Sequence, residues 1–277
     1  MNQETIYCIV CSGNPFYLKI ALKQLIRVVG QARILLIGDV TSLEDCIELG
    51  ISHLDIVDLE RNNERLKKLG SVFINDGPNP DAFEMFCFKR FIYLEELLKQ
   101  VNVKKVVHVD ADIIFMEEPR VALAETSCNV PNEFGTFLSS WDLNGIRKFN
   151  DYILNGYFQG NPIYRYCDMD ALARFIRTRG TNFSIVKERG YDSNIRLDLG
   201  FRYFLIKHFF NKNSEGKIGF NSMEAEEIPR ISDVSLSKMV DITRSEIKIA
   251  GDSLPFVHLQ GNTKQYFDLF REKLELD

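Results

Sequence analysis

The sequence predicts an α/β protein built on a mostly parallel sheet flanked by helices, with an irregular region in its second half. Three observations lead there. Through residue 115, short apolar runs rich in β-branched residues alternate with helical periodicities. The runs are apolar throughout, as strands covered on both faces are. And 277 residues, 45% hydrophobic and 26% charged, are enough for one large domain or two small ones with a sizeable core.

TIYCIVC (5–11) reads as the first buried strand. Ser12-Gly-Asn-Pro15 is a turn, with Pro15 suited to a first helical position. Leu18, Leu22, Leu25, Ile26 and Val29 then share one stripe of a helix that Gly30 stops. ARILLIGD (32–39) is a second strand, and Thr41-x-x-Glu44 reads as a capping box opening a short helix that ends at Gly50. HLDIVDL (53–59) reads as a third strand and RNNERLKKLG (61–70) as a surface helix. After the loop NDGPNP (75–80), Asp81-x-x-Glu84 reads as the cap of a long helix, in which Phe83, Phe86, Cys87, Leu94, Leu97, Leu98 and Val101 recur at helical spacing. KVVHVDADIIF (105–115) is the fourth strand. Past Pro119 the rhythm is lost. Helical patterns return near 169–179 and 192–210, and the last segment is PFVHLQGNTKQYFDLFREKLELD.

Composition removes several classes of function. A net charge of −5 gives no reason to expect a polyanion, so nucleic acid is not expected as a partner. No apolar run approaches the roughly 18–20 residues that cross a bilayer. MNQETIYCIV lacks a basic segment ahead of an apolar one, so no secretory signal is expected. The six cysteines, at 8, 11, 46, 87, 128 and 167, are scattered, which suits free thiols in a reducing cytosol and a cytoplasmic location. Cys8-Ile-Val-Cys11 is formally C-x-x-C, but it lies inside a strand-like run with no second pair, so neither a redox nor a zinc site is expected there. No P-loop motif occurs, and no G-x-G-x-x-G follows the first strand.

Three constellations remain. Asp110 and Asp112 stand one residue apart in the fourth strand. Residues i and i+2 of a strand face the same way, about 6–7 Å apart at Cα. Two carboxylates so placed need solvent, a basic partner or a cation, because burying them unpaired costs several kcal/mol. A divalent ion that favours hard oxygen, Mn²⁺ or Mg²⁺, is one answer and would bridge to a substrate diphosphate; a solvated strand end is the other. In such sheets ligands bind beyond the carboxyl ends of the strands, where Ser12, Asp39 and the acid pair all fall. The second constellation is His258-Leu-Gln-Gly261-Asn-Thr-Lys264. Imidazole can complete a Mn²⁺ site, Gly261 lets backbone approach a phosphate, and Lys264 can neutralise it; a structural or exposed histidine is the alternative. Third, Lys89 and Arg90 interrupt the apolar stretch of the long helix, either as a solvated face or to let Arg90 reach a nucleotide or phosphate.

With these residues in place, the sequence resembles glycosyltransferases of the GT-A fold, and among them family 8, which includes lipopolysaccharide galactosyl- and glucosyltransferases and glycogenin. CFKRFIYLEELLKQVNVKKVVHVDADIIF is similar to that family's helix, with its early arginine, running into a hydrophobic strand and the D-x-D. HLQGNTK matches the late H-x-x-G-x-x-K, and the opening strand, turn and helix fit the nucleotide-binding start. Asp39 matches an acidic residue found after the second strand. The resemblance covers 1–118 and about 254–266. It implies one continuous domain, with a nucleotide-sugar-binding half at 1–118 and an acceptor-side half at 119–277 whose end returns to the metal site. It implies that Asp110, Asp112 and His258 hold Mn²⁺ (or Mg²⁺) against the diphosphate of a nucleotide sugar, a UDP-sugar above all. Lys264 and the backbone at Gly261 meet the phosphates, Cys11, Ser12 and Asp39 lie near base and ribose, and Arg90 contacts the donor. In the middle the family shows Asn-x-Gly and later Asp-Gln; here stand Phe158-Gln159-Gly160-Asn161 and Tyr191-Asp192-Ser193-Asn194. Gln159, Asn161 and Asp192 are the candidates around the anomeric carbon and acceptor, with Asp192 alternatively a helix N-cap. The family retains anomeric configuration, so the resemblance implies a retaining transfer, and the departing middle leaves an inverting one open.

The acceptor is expected to be a glycan or a lipid-linked saccharide at the inner membrane face. Phe134, Trp141, Tyr152, Tyr157, Phe158 and Tyr164 are available to stack on sugars or to build core. QYFDLFREKLELD is amphipathic but acidic, which weakens a peripheral membrane anchor. Two rival readings stand beside the transferase. A haloacid-dehalogenase-like phosphatase also pairs acids two apart, but on its first strand and with Thr or Val two residues on, where this chain has Ile114. A nucleotide-sugar-binding protein without turnover is the other.

Overall fold

The fold, given by a computed structural model, is described for residues 5–131, 135–159, 167–179, 183–186, 240–243, 246–249, 252–254, 256–259, 264 and 267–276. β1 (Thr5–Cys11) leads into α1 (Leu18–Val29), β2 (Ile34–Gly38) into α2 (Leu43–Leu49), and β3 (Ser52–Asp55) into α3 (Ile56–Glu60) and α4 (Glu64–Val72). The long α5 (Asp81–Gln100) precedes β4 (Lys105–Val109) and β5 (Ile113–Phe115). Next come α6 (Arg120–Leu123), β6 (Cys128–Val130), β7 (Leu138–Trp141), α7 (Leu143–Tyr152) with a π-turn over Ile153–Tyr157, α8 (Asp168–Arg179) and β8 (Phe183–Ile185). Last are β9 (Val240–Ile242), β10 (Ile247–Ile249), β11 (Asp252–Leu254), β12 (Phe256–His258) and α9 (Phe267–Leu274).

Seven strands form the main sheet, in the order β3-β2-β1-β4-β7-β6-β8. Neighbours are parallel except at β7, which runs against both β4 and β6. The expected mostly parallel α/β sheet is therefore present. The strand order reverses at β1, with β2 and β3 to one side and β4 to the other, so a crevice opens at the carboxyl ends of β1 and β4.

Alternation along β1 splits the core into two layers. Ile6, Cys8 and Val10 pack with α5, α7 and α8, whereas Tyr7, Ile9 and Cys11 pack with α1. Phe91, Trp141 and Phe149 anchor the first layer, with ring centroids 4.9–5.9 Å apart. Each is fully buried, worth on the order of 1.5–3 kcal/mol from its apolar surface. A third cluster joins Ile20 and Ala21 of α1 to Ile114, Val257 and the α9 residues Phe267, Phe270 and Leu274. The apolar stripe of α9 is thus spent on core rather than on a membrane. Arg27 secures that helix's end by donating to the carbonyls of Leu274 and Glu275.

Several local expectations are corrected. The stretch 53–59 is not one strand: Asp55 accepts from the Val57 amide at 2.7 Å and starts a helix at Ile56. Asn63, accepting from the amides of Arg65 and Leu66, starts α4 later than expected, and Leu66 and Leu69 are buried, so it is not a mere surface helix. The cap after β2 is Asp39, which accepts from the Thr41 amide, rather than a Thr41 box. Gly50 does end α2, in a left-handed conformation with φ of +61°. Asp81 makes no capping bond at α5, and Glu84 turns inward, 2% exposed. The run 105–115 breaks at Asp110–Asp112 into β4 and β5, which belong to different sheets. Trp141, Tyr157 and Phe158 are core, not a sugar platform. The pattern at 192–210, with Phe134 and Tyr164, lies outside the described residues.

Candidate functional site

The site lies where the strand order reverses. β4 ends at Val109, and the Asp110 amide donates to Phe137 O at 2.8 Å, which fixes the start of the turn that carries both acids. The chain then enters β5, which pairs antiparallel with β12 and sets His258 opposite Ile113. The Leu259 amide extends that ladder by donating to Asp112 O at 2.8 Å. This register brings His258 Nε2 to 3.0 Å from Asp112 Oδ1. One donor atom each from Asp110, Asp112 and His258 lie within 4.8 Å of one another.

Asp112 is the electrostatic centre. Its Oδ2 is 3.0 Å from Lys264 Nζ, which donates in turn to the Tyr17 hydroxyl at 3.0 Å and sits 4.7 Å from the centre of that ring. Burial alone would raise the Asp112 carboxyl, but the neighbouring His258 and Lys264 outweigh it and hold the group at about 2. Asp110, less buried, accepts from Arg90 Nη1 at 2.7 Å. Behind it, His108 donates from Nδ1 to Thr136 O at 2.9 Å; burial first, and then the Arg90 charge, push its imidazole down to about 4, so it is neutral near pH 7.

The expected nucleotide side is organised by Asp39. Its carboxylate accepts from the Gly13 amide at 2.5 Å, the Ser12 hydroxyl at 3.5 Å, and the Thr41 amide and hydroxyl. The Thr41 hydroxyl bond overcomes partial desolvation, and the Asp39 carboxyl lies below its ordinary range. One side chain thereby joins the β1–α1 loop to the β2–α2 loop, helped by Gly13 at φ of +80°. Cys11 is buried beneath, its thiol pushed up to about 12 by burial and by Asp39.

The donor set fits a divalent cation. Two carboxylates and an imidazole suit Mn²⁺ or Mg²⁺ chemistry. Among the described residues, His258 Nδ1 is buried without a partner, and the imidazole reaches Asp112 through its other nitrogen. Arg90 pairs with Asp110 and Lys264 with Asp112, so each acid also has a basic neighbour.

No family model matches the chain, and no curated protein matches it in sequence. Solved structures share part of its shape. It is similar to mouse xyloside xylosyltransferase 1, with 8% identity and a TM-score of 0.45 over 66% of this chain and 84% of that one. It is similar to the galactosyltransferase LgtC, solved with donor and acceptor sugar analogues, with 13% identity and a TM-score of 0.41 over 60% of this chain and 68% of that one. It is also similar to 4-diphosphocytidyl-2C-methyl-D-erythritol synthase from Anaerococcus prevotii, with 13% identity and a TM-score of 0.39 over 70% of this chain and 90% of that one. Likenesses this weak carry no part of the functional reading, which rests on the site itself.

The structure brings Asp110, Asp112, His258, Lys264 and Arg90 together, and Cys11, Ser12 and Asp39 beside one another at the end of β1. Gln159 is exposed, just past the π-turn. Asp192, Gly261 and Asn161 lie outside the described residues. Arg90 is not on a solvated face: it is 7% exposed, and both its terminal nitrogens are held by carboxylates, Asp110 and Asp168. Asp168, Tyr17 and His108 are the neighbours that the sequence did not single out. For His108 the signal was its place two residues before Asp110; the others are too distant in sequence to mark themselves.

Proposed function

We propose that the protein is a metal-dependent glycosyltransferase of the GT-A type, moving a sugar from a nucleotide sugar, a UDP-sugar above all, to a glycan or lipid-linked saccharide. The observation that carries this reading is the convergence of Asp110, Asp112 and His258 at the carboxyl ends of β1 and β4, with Lys264 beside them. Residues 1–118 form the donor half and 119–277 the acceptor half. Asp110, Asp112 and His258 would hold Mn²⁺ or Mg²⁺, which when bound supplies Lewis-acid neutralisation of diphosphate charge. Lys264 adds a cation of its own, and its raised pKa, which the Asp112 carboxylate brings about against the opposing effect of burial, keeps it charged. The loop gathered by Asp39, with Ser12 and Cys11, lines the base and ribose, and the backbone at Gly261 meets phosphate. Gln159 and Asp192 act around the anomeric carbon, with retention of configuration.

A thermal-shift screen of nucleotides with and without Mn²⁺ tests the reading. UDP and Mn²⁺ together are expected to stabilise the fold by about 2.7 kcal/mol at a hundredfold excess over Kd. The shift should vanish in Asp112→Ala and shrink in His258→Ala. Hydrolysis of an aryl phosphate with Mg²⁺, unaffected by UDP, would replace the transferase with the phosphatase. Metal-dependent UDP binding without turnover of any sugar nucleotide would leave a binding protein.

A further inference from the structure

Arg90 sits in the first half of α5 and is 7% exposed. Nη1 donates to Asp110 Oδ1 at 2.7 Å, and Nη2 donates to Asp168 Oδ2. Asp168 opens α8 and is 3% exposed. A buried guanidinium is tolerated only when its charge is met on each side, and its planar fork fixes the direction of both partners. The ring of Phe91 lies 5.3 Å away.

Asp110 needs such a support. It lies in the turn between β4 and β5, on neither strand, and its side chain is 25% exposed. Its backbone amide is anchored to Phe137 O, but that bond leaves the carboxylate free to rotate. Arg90 removes the freedom by taking Oδ1. Among the described residues Oδ2 has no partner, so one oxygen is fixed and the other remains available to a cation.

Glu84 and Cys87 lie about two turns and one turn before Arg90 and offer donor atoms within 4.8 Å of one on Asp168. A second metal site is not the better account of that group. The guanidinium already gives Asp168 its positive partner, and burial raises both the Glu84 carboxyl and the Cys87 thiol, which favours their neutral forms. They pack about the Arg90–Asp168 pair.

We propose that Asp168 is a positioning residue of the cation site: through Arg90 it holds the Asp110 carboxylate in the orientation that binds the ion. This rests on the cation site proposed above. The test is Mn²⁺ affinity, read as free Mn²⁺ by electron paramagnetic resonance, in the wild type, Asp168→Asn, Asp110→Ala and the double variant, with melting of each metal-free protein alongside. Asp168→Asn is expected to weaken Mn²⁺ binding by about 10- to 100-fold, the usual range for a group behind a ligand. In the Asp110→Ala background the same substitution should change affinity by less than about twofold, because its route to the ion is gone. If Asp168→Asn does not fold, Arg90→Lys, which keeps the charge and loses the fork, should weaken binding by a similar factor. An unchanged affinity in Asp168→Asn, or an equal loss in both backgrounds, overturns the inference and leaves the cation site standing. A wild type that binds neither Mn²⁺ nor Mg²⁺ removes both.

Discussion

Glu95 is the carboxylate that binds α5 to its neighbours, and its replacement by Gln makes the electrostatic account quantitative. The residue is 0% exposed. Its Oε1 meets Lys99 at 2.9 Å and Arg147 at 3.5 Å, and its Oε2 meets Arg65 at 3.4 Å and the Asn150 amide at 2.9 Å. Burial alone would raise the Glu95 carboxyl; the hydrogen bonds from Asn150 and Lys99 and the charges of Arg65 and Lys99 outweigh it and leave it below the ordinary range. Breaking a fully buried ion pair costs about 3–5 kcal/mol. Here the cations keep 28–48% of their side-chain surface in water, so solvent recovers part of that cost. Gln keeps the Asn150 bond, and the expected loss at pH 7 is about 1–2 kcal/mol. The sign of the pH dependence follows from the depressed pKa: the stabilisation is fully present above the unfolded value, near 4.3, and disappears as pH falls through the lower folded value. Urea denaturation of the wild type and Glu95→Gln at pH 7, 5 and 4 measures it. The gap between them should be widest at pH 7 and narrow at the acid end. Equal midpoints at pH 7, or a gap that widens on acidification, would refute this account of the network.

Three further outcomes are expected. Asp112→Asn should lower Mn²⁺ affinity more than His258→Ala does, because the carboxylate carries the charge and also anchors Lys264; calorimetric titration of Mn²⁺ into each protein decides the order. Gly38→Ala should destabilise by about 1–3 kcal/mol, because a Cβ there overlaps Ser42 Oγ and presses on Cys11 O and His53 Nε2, both at 3.4 Å; Ser42→Ala should recover part of that loss in a double variant followed by urea denaturation. The native protein at pH 8 should resist maleimide at five buried thiols, with Cys167 the fastest to react, and unfolding should release all six, counted by mass spectrometry.

The alternation of strand and helix was legible because it is local: the apolar run at 5–11 and the stripe on 18–29 each announce themselves within a dozen residues. The two acids were legible because a charged pair after an apolar run conflicts with burial. What local pattern could not give is partnership across the chain. Lys89 and Arg90 look alike in the sequence, yet Lys89 pairs at the rim with Glu60 while Arg90 turns inward to Asp168, 78 positions away. The break at Asp110–Asp112 was hidden for a related reason. Asp110 and Asp112 can form a turn, but the apolar runs on either side of them read as one strand, and the strand divides because its second half is paired by β12. At 53–59 the β-branched residues argued for a strand, but the Asp55 carboxylate captured the Val57 amide first.

The ladder of β5 and β12 has a consequence for how the molecule is made. It joins a donor at Asp112 to one 146 positions later. A polypeptide still emerging from the ribosome can build the sheet around β1 and β4 and display both acids, yet it lacks the imidazole until synthesis has passed residue 258. Any activity that needs His258 is therefore withheld from unfinished chains, and a product cut short before β12 would lose the strand that covers β5 along with that imidazole. The pairing of β5 with β12 ties the meeting of Asp112 and His258 to synthesis beyond residue 258.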